Sequence, residues 1–269
     1  MGEAQPIGMK QKHLVLVHGA NHGAWSWYKV KPLLEAAGHR VTAIDLAASG
    51  INVKRIQDVH TMNDYTQPLL DVLASLPPNE KVMLVGHSLG GLNLAVAAEK
   101  FPEKISVAVY LTAFMPDTKN KPSYVLEQFF ETTPKDAWMD TQFTPYDNTT
   151  SNPSSVSMFF GPKFLAFMLY QLSPIQDLEL AKLLVRPGSL FVDDLSKANK
   201  FTSEGFGSVT RVYVVCKEDV GITKQFQHWM IENSSVDQVI EIEGADHMAM
   251  FSKPNELCDC LSQIANEYA

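Results

Sequence analysis

Disulfides, basic surfaces and long apolar runs are what this sequence lacks. Its 269 residues include three cysteines, Cys216, Cys258 and Cys260. Three cannot build a disulfide framework, and their spacing matches no zinc site. Cys258 and Cys260 stand two apart in a helix-like stretch and so point in different directions. Buried or idle thiols in a reducing compartment are the reading that remains. Positive charge is also short, with 22 Lys and Arg against 30 Asp and Glu and a formal net charge of −8. No basic stripe appears, which argues against nucleic acid and anionic membrane surfaces as partners. No apolar run reaches the roughly 20 residues that span a bilayer. The opening M-G-E-A-Q-P-I-G-M-K-Q-K is too polar for a secretory signal. It begins Met-Gly, but Pro6 stands where a myristoylation signal wants Ser or Thr. Asn148 and Asn233 begin N-x-S/T triplets, which mean nothing without secretion. There is no internal repeat and no low-complexity segment. Together these absences predict a soluble, cytoplasmic protein.

What is present is enough apolar material, 45% of residues, for a large core. Short apolar runs fall at 13–19 (H-L-V-L-V-H-G), 41–45, 81–86, 105–111, 211–216 and 238–242. Most are apolar at both alternating positions, as strands covered on both faces must be. Between them the apolar period becomes helical. Val30, Leu33, Leu34 and Ala37 mark one helix, ended by Gly38. Tyr65, Leu69, Val72 and Leu76 mark a second, stopped by Pro77-Pro78. Further helices run through Leu92 to Val96, Phe226 to Met230, and Leu257 to Tyr268. Strand and helix in alternation predict an α/β fold with a doubly wound, mostly parallel sheet. Residues 114–187 break the rhythm. They are rich in Phe, Met, Trp, Tyr and Pro and contain helix-like pieces such as Y-V-L-E-Q-F-F. A structureless loop of that length is improbable. We expect an inserted, mainly helical cap at 114–187 on a core of 1–113 and 188–269; the plain alternative is a second packed layer with no function.

The strongest local motif is G-H-S-L-G at 86–90. By chance G-x-S-x-G occurs in about one chain of this length in ten, so context decides its meaning. Here an apolar strand leads directly into it and a helix leads directly out. Such a turn strains the serine backbone, and the flanking glycines remove side chains that would clash. It lifts the Ser88 hydroxyl off the sheet edge as a candidate nucleophile. A serine needs a base to take its proton, and the base needs an orienting group. On sheets of this kind the order along the chain is Ser, acid, His, each at a later strand end. Glu218 and Asp219 end one strand, and His247 follows the next. Asp219 is favoured over Glu218 because a shorter side chain further into the loop is the usual solution. Asp246 adjoins His247, but neighbours in an extended loop diverge, so Asp246 is read as a loop hydrogen-bonder. The backbone amides of Leu89 and Ala20 are the expected oxyanion donors. Gly19 gives the turn before Ala20. His18, His22 and His87 are read as packing or hydrogen-bonding residues. No carboxylate cluster accompanies them, so no metal site is indicated.

The sequence resembles the plant methylesterase and hydroxynitrile lyase branch of the α/β-hydrolases. The motifs that carry the likeness include V-L-V-H-G-A, H-G-A-W-S-W-Y-K, D-L-A-A-S-G-I, L-V-G-H-S-L-G-G, S-M-F-F-G-P-K-F-L, L-V-R-P-G-S-L-F and G-A-D-H-M-A-M. They run over nearly the whole chain after the first dozen residues. The resemblance implies an α/β-hydrolase fold and a cytosolic serine esterase with the triad Ser88, Asp219 and His247. It implies Phe114, Trp138, Phe143, Met158, Phe160 and Leu190 as pocket-lining positions. The lyases of this branch carry threonine at the position of Gly19 and lysine at that of Met248. Expelling cyanide calls for a cation beside the leaving group, which Met248 cannot supply, and Gly19 leaves room at the nucleophile. Both favour ester hydrolysis.

The expected function is hydrolysis of the methyl ester of a small apolar or aromatic acid through an acyl-enzyme, with no cofactor. Salicylate, jasmonate, an indole acid or an alkaloid acid would suit an aromatic pocket. A β-oxo acid product would go on to lose CO2 unaided. The competing readings are a small-molecule receptor with incidental hydrolysis and, disfavoured, a cyanohydrin lyase. Oligomeric state is not legible in the residues; the resemblance suggests a homodimer.

Overall fold

The computed structural model describes residues 11–146 and 156–269. The opening dodecamer is thus almost wholly outside the described residues, as is Asn148. Six strands form one sheet: β1 (His13–Val17), β2 (Arg40–Ile44), β3 (Val82–His87), β4 (Ile105–Leu111), β7 (Arg211–Cys216) and β8 (Gln238–Ile242). Their order is β2-β1-β3-β4-β7-β8, and every pair is parallel. Every residue of β1, β3 and β7 is buried, while the edge strands β2 and β8 are partly exposed. That is why the central runs are apolar without alternation.

The helices are α1 (Val30–Ala36), α2 (Met62–Ser75), α3 (Gly90–Lys100), α4 (Tyr124–Thr132), α5 (Pro162–Phe164, running into a π turn over Leu165–Leu169), α6 (Ile175–Leu184), α7 (Val192–Lys197), α8 (Lys224–Asn233), α9 (Ala249–Ser252) and α10 (Pro254–Tyr268). Helix α1 packs on α10, and α2 packs on α3. From β1 the chain steps outward to β2, then returns past β1 to β3. Right-handed crossovers in opposite directions put their helices on opposite faces. The reversal leaves a crevice at the carboxyl ends of β1 and β3, where α/β sheets bind ligands.

After β4 the chain leaves the sheet and returns at β7. Helices α4 to α7 occupy this excursion. The sequence shows no strong strand signal there, yet the excursion also holds an antiparallel hairpin, β5 (Gln142–Pro145) with β6 (Val156–Phe159). Strand β5 is wholly exposed and ends in proline, so its sequence carries no burial pattern. Tertiary contacts hold β6 instead: Met158 and Gly188 exchange backbone hydrogen bonds of 2.7 and 2.9 Å. Helix α6 is pinned to the core by Asp177, which is 1% exposed and accepts from the Tyr28 hydroxyl at 2.6 Å and from Lys29 Nζ at 2.5 Å.

Candidate active site

The turn between β3 and α3 places Ser88 at the crevice. Ser88 has φ +54°, in the left-handed region that non-glycine residues avoid. The surrounding bonds hold it there: its carbonyl accepts from Gly91 N at 3.1 Å and Phe114 N at 3.0 Å. Strands β1 and β3 pair in register up to Val17 and Gly86, so the loops beyond them lie side by side. The approach is close. A Cβ on Gly90 would sit 2.9 Å from the carbonyl oxygens of Val17 and His18. A Cβ on Gly19 would sit 2.8 Å from Ser88 Cβ. Gly19 therefore allows backbone to pack directly against the serine; it does not leave the open room read into it from the sequence.

Asp219 and His247 converge from the ends of β7 and β8. His247 Nδ1 lies 2.7 Å from Asp219 Oδ2. That oxygen also accepts from Thr112 Oγ1 at 2.5 Å, and Oδ1 accepts from the amides of Gly221 and Ile222 at 2.7 and 2.9 Å. Both Asp219 and His247 are 4% exposed. With Nδ1 protonated toward the carboxylate, Nε2 is left as the basic nitrogen. Asp246 turns away from the imidazole. It accepts from Leu172 N at 3.0 Å and Ser173 Oγ at 2.8 Å, and from Met248 N at 2.9 Å and Ser252 Oγ at 2.7 Å. It thus ties the turn before α6 to the histidine loop. Burial raises its carboxyl pKa despite these four donors.

Three further histidines buttress the site. His18 bonds the Gly19 carbonyl through Nδ1 at 2.8 Å and accepts from Leu46 N through Nε2 at 3.1 Å. His22 bonds the Ala20 carbonyl at 2.8 Å and the Tyr170 hydroxyl at 2.7 Å. His87 Nε2 donates to the His247 carbonyl at 2.8 Å, with ring centroids 4.7 Å apart. Burial lowers the pKa of His18, brings that of His22 to about 3, and drives that of His87 well down with help from the adjacent His247. All three stay neutral at pH 7, and their ring nitrogens hold the loops. Asn21, unnoticed in the sequence, adds a strut from the same loop to the carbonyl of Met158 at 2.8 Å. Among the described residues, no three His, Cys, Asp or Glu side chains are grouped to hold a metal ion.

Ser88, His247, Ala20 and Leu89 line one small cavity of about 40 Å3. Leu89 is the N-cap residue of α3, where amides lack intrahelical partners. Of the expected pocket residues, Phe114, Trp138, Met158, Phe160 and Leu190 line it. Two do not. Phe143 lies on β5, one strand further out than Met158, and covers Trp138 from outside while 48% exposed. Met248 is fully buried at the N-cap of α9 and is absent from the wall. Its bearing on cyanide release therefore rests on its lack of charge, not on contact with the cavity. The sequence reading missed Phe129, Phe164, Leu169, Gly221 and Ile222. Helical periodicity could have found Phe129, since it shares the buried face of α4 with Val125 and Leu126.

The chain's likeness to known proteins agrees with this geometry. A family model described as an alpha/beta hydrolase family matches residues 14–259. Methylesterase 1 of Arabidopsis thaliana is 60% identical over 260 residues, covering 96% of this chain and 98% of that protein. Salicylic acid-binding protein 2 of Nicotiana tabacum is 60% identical over 257 residues, with the same coverage. The crystal structure of polyneuridine aldehyde esterase, an enzyme known from Rauvolfia serpentina, superposes with a TM-score of 0.92 at 52% identity, covering 95% of this chain and all of that one. With its parallel sheet, strand-end serine and buried Asp–His pair, the chain belongs to the alpha/beta hydrolase family and, within it, to the plant methylesterase branch.

Proposed function

We propose that the protein is a serine carboxylesterase that cleaves the methyl ester of a small apolar or aromatic acid. One observation carries the reading. The His247 imidazole is held at 2.7 Å by the buried Asp219 carboxylate and shares the wall of an apolar cavity with Ser88. His247 takes the Ser88 proton as Ser88 Oγ attacks the ester carbonyl. The amides of Ala20 and Leu89 hold the oxyanion. The methoxide leaves as methanol with the proton from His247, and a water activated by the same nitrogen then frees the acid. Asp219 keeps the imidazole in one tautomer and stabilises the imidazolium.

The wall supports an uncharged acyl group. Apart from Ser88 and His247, every residue on it is apolar. A neutral ester enters at little desolvation cost, whereas the product carboxylate finds no cation to hold it and is released. Cytoplasmic residence belongs to the same proposal, on three buried, unpaired thiols that suit a reducing compartment. Ser88→Ala should abolish methanol release from a panel of methyl esters, including salicylate, jasmonate and indole-acetate esters. Turnover retained in that variant would overturn the nucleophile assignment.

A further inference from the structure

The cavity over Ser88 is too small for the acid that the proposed reaction would release. It measures about 40 Å3. Pockets that enclose a whole small molecule run to roughly 300–1,000 Å3. A second cavity, of about 410 Å3, lies directly against it. The two share Phe129 and Gly221. The Phe129 ring stands edge-on to Phe114 of the inner wall, at 5.1 Å between centroids, and edge-on to Phe226 of the outer wall, at 5.4 Å. One phenyl ring on α4 is therefore the partition. Beyond it the outer cavity is walled by Met168, Trp229, Pro134 and Val220, with threonine and glutamine side chains at its rim and no ionisable residue.

A larger groove of about 610 Å3 adjoins the inner cavity on another side, through Met158 and Leu190. It fits an apolar acyl group less well. Glu127 and Asp193 border it. The wall at Met158 is strand backbone, bonded to Gly188 in both directions and to Asn21. The Phe129 partition is a side chain held by ring contacts with Phe114, Trp138 and Phe226, and moving it breaks no hydrogen bond.

We propose that the outer cavity is the acyl subsite and that Phe129 determines specificity by turning aside to admit an extended, uncharged acyl group. The ester carbonyl and its methoxy group occupy the inner cavity, and the remote end of the acyl group packs against the stacked pair Phe226 and Trp229. This rests on the esterase reading. Gly221 forms part of both walls and donates its amide to Asp219, so an acyl group in the outer cavity also packs against the loop that orients the acid.

The test compares methyl 6-phenylhexanoate with methyl butanoate, by methanol release. Thr133→Trp, at the half-buried rim, should lower the long-to-short ratio of kcat/KM at least tenfold by filling the subsite. Phe129→Ala should raise that ratio at least tenfold by removing the partition. Should Phe129→Ala fail to fold, Thr133→Trp decides alone. A ratio that stays within twofold of wild type in the folded variants overturns the subsite and leaves the esterase reading standing. Failure of the wild-type protein on both of these esters overturns the subsite, whereas failure on the whole methyl-ester panel, or hydrolysis that survives Ser88→Ala, overturns the esterase reading and the subsite with it.

Discussion

Two buried aspartates stand close to His247, and their hydrogen bonds separate their roles. Asp219 reaches Nδ1; Asp246 spends both oxygens on donors from the turn before α6 and from the histidine loop. Asp219→Asn should reduce kcat by about 10^3–10^4-fold, because an amide no longer fixes the productive tautomer. Asp246→Asn should cost about 2–3 kcal/mol of stability, since its NH2 would face two of the four donors whichever oxygen it replaces, while kcat falls less than tenfold. Steady-state kinetics and urea midpoints on both variants check this, and a reversed ranking of kcat would sink the choice of acid. Motif order and the divergence of neighbouring side chains were enough to select Asp219 from the sequence. Thr112, which completes its setting, was not legible: no motif marks it, and its φ of +37° arises only where β4 ends beside the Asp219 loop.

At the scale of elements, the strands read clearly because burial on both faces leaves an unbroken apolar run. The hairpin β5–β6 did not, because a four-residue exposed strand ending in proline carries neither period nor burial. The excursion that covers the site is held by buried polar anchors rather than by a broad apolar interface alone. Lys29 with Asp177 is one such anchor. Lys29→Met leaves the carboxylate enclosed with only the Tyr28 hydroxyl, and should destabilise the protein by about 2–4 kcal/mol. Adding Asp177→Asn should recover more than half of that loss in chemical denaturation, because the unpaired charge is then gone. No recovery would mean that the lysine acts through its ammonium over the Tyr28 and Phe251 rings.

Across the whole molecule, histidines that burial holds below their ordinary range shape the response to pH, the three under the site together with His13 and His39. The unfolded chain protonates His18, His22 and His87 near the ordinary 6.5, while the folded chain does so only at lower pH, about 3 for His22. Their contribution to stability is thus complete above about pH 6.5 and is lost as pH falls below it. Each histidine removes up to about 1.4 kcal/mol per pH unit inside that window. Asp246 acts in the opposite sense, its raised carboxyl favouring the folded state more at acid pH, over a window that opens near 3.8. Three histidines outweigh one carboxyl, so the urea midpoint should fall steadily between pH 7 and pH 5. His22→Gln should flatten that slope by about one proton, and an unchanged slope would show that His22 is not the group titrating.

The sequence alone determined the strands, their order along the chain, the strand–turn–helix around Ser88, and Ser88, Asp219 and His247 as candidates for a catalytic set. These follow from local rules: period, turn chemistry, and the fixed order in which strand ends carry catalytic side chains. Only the tertiary structure decided which apolar residues line the cavity at Ser88, since Phe143 and Met248 leave the wall and Phe129, Phe164 and Leu169 join it. Which way a side chain faces in an excursion from the sheet depends on what packs over it. That packing comes from segments far apart in the chain, such as Asn21 under Met158 and Phe129 against Phe226, and no local pattern encodes it.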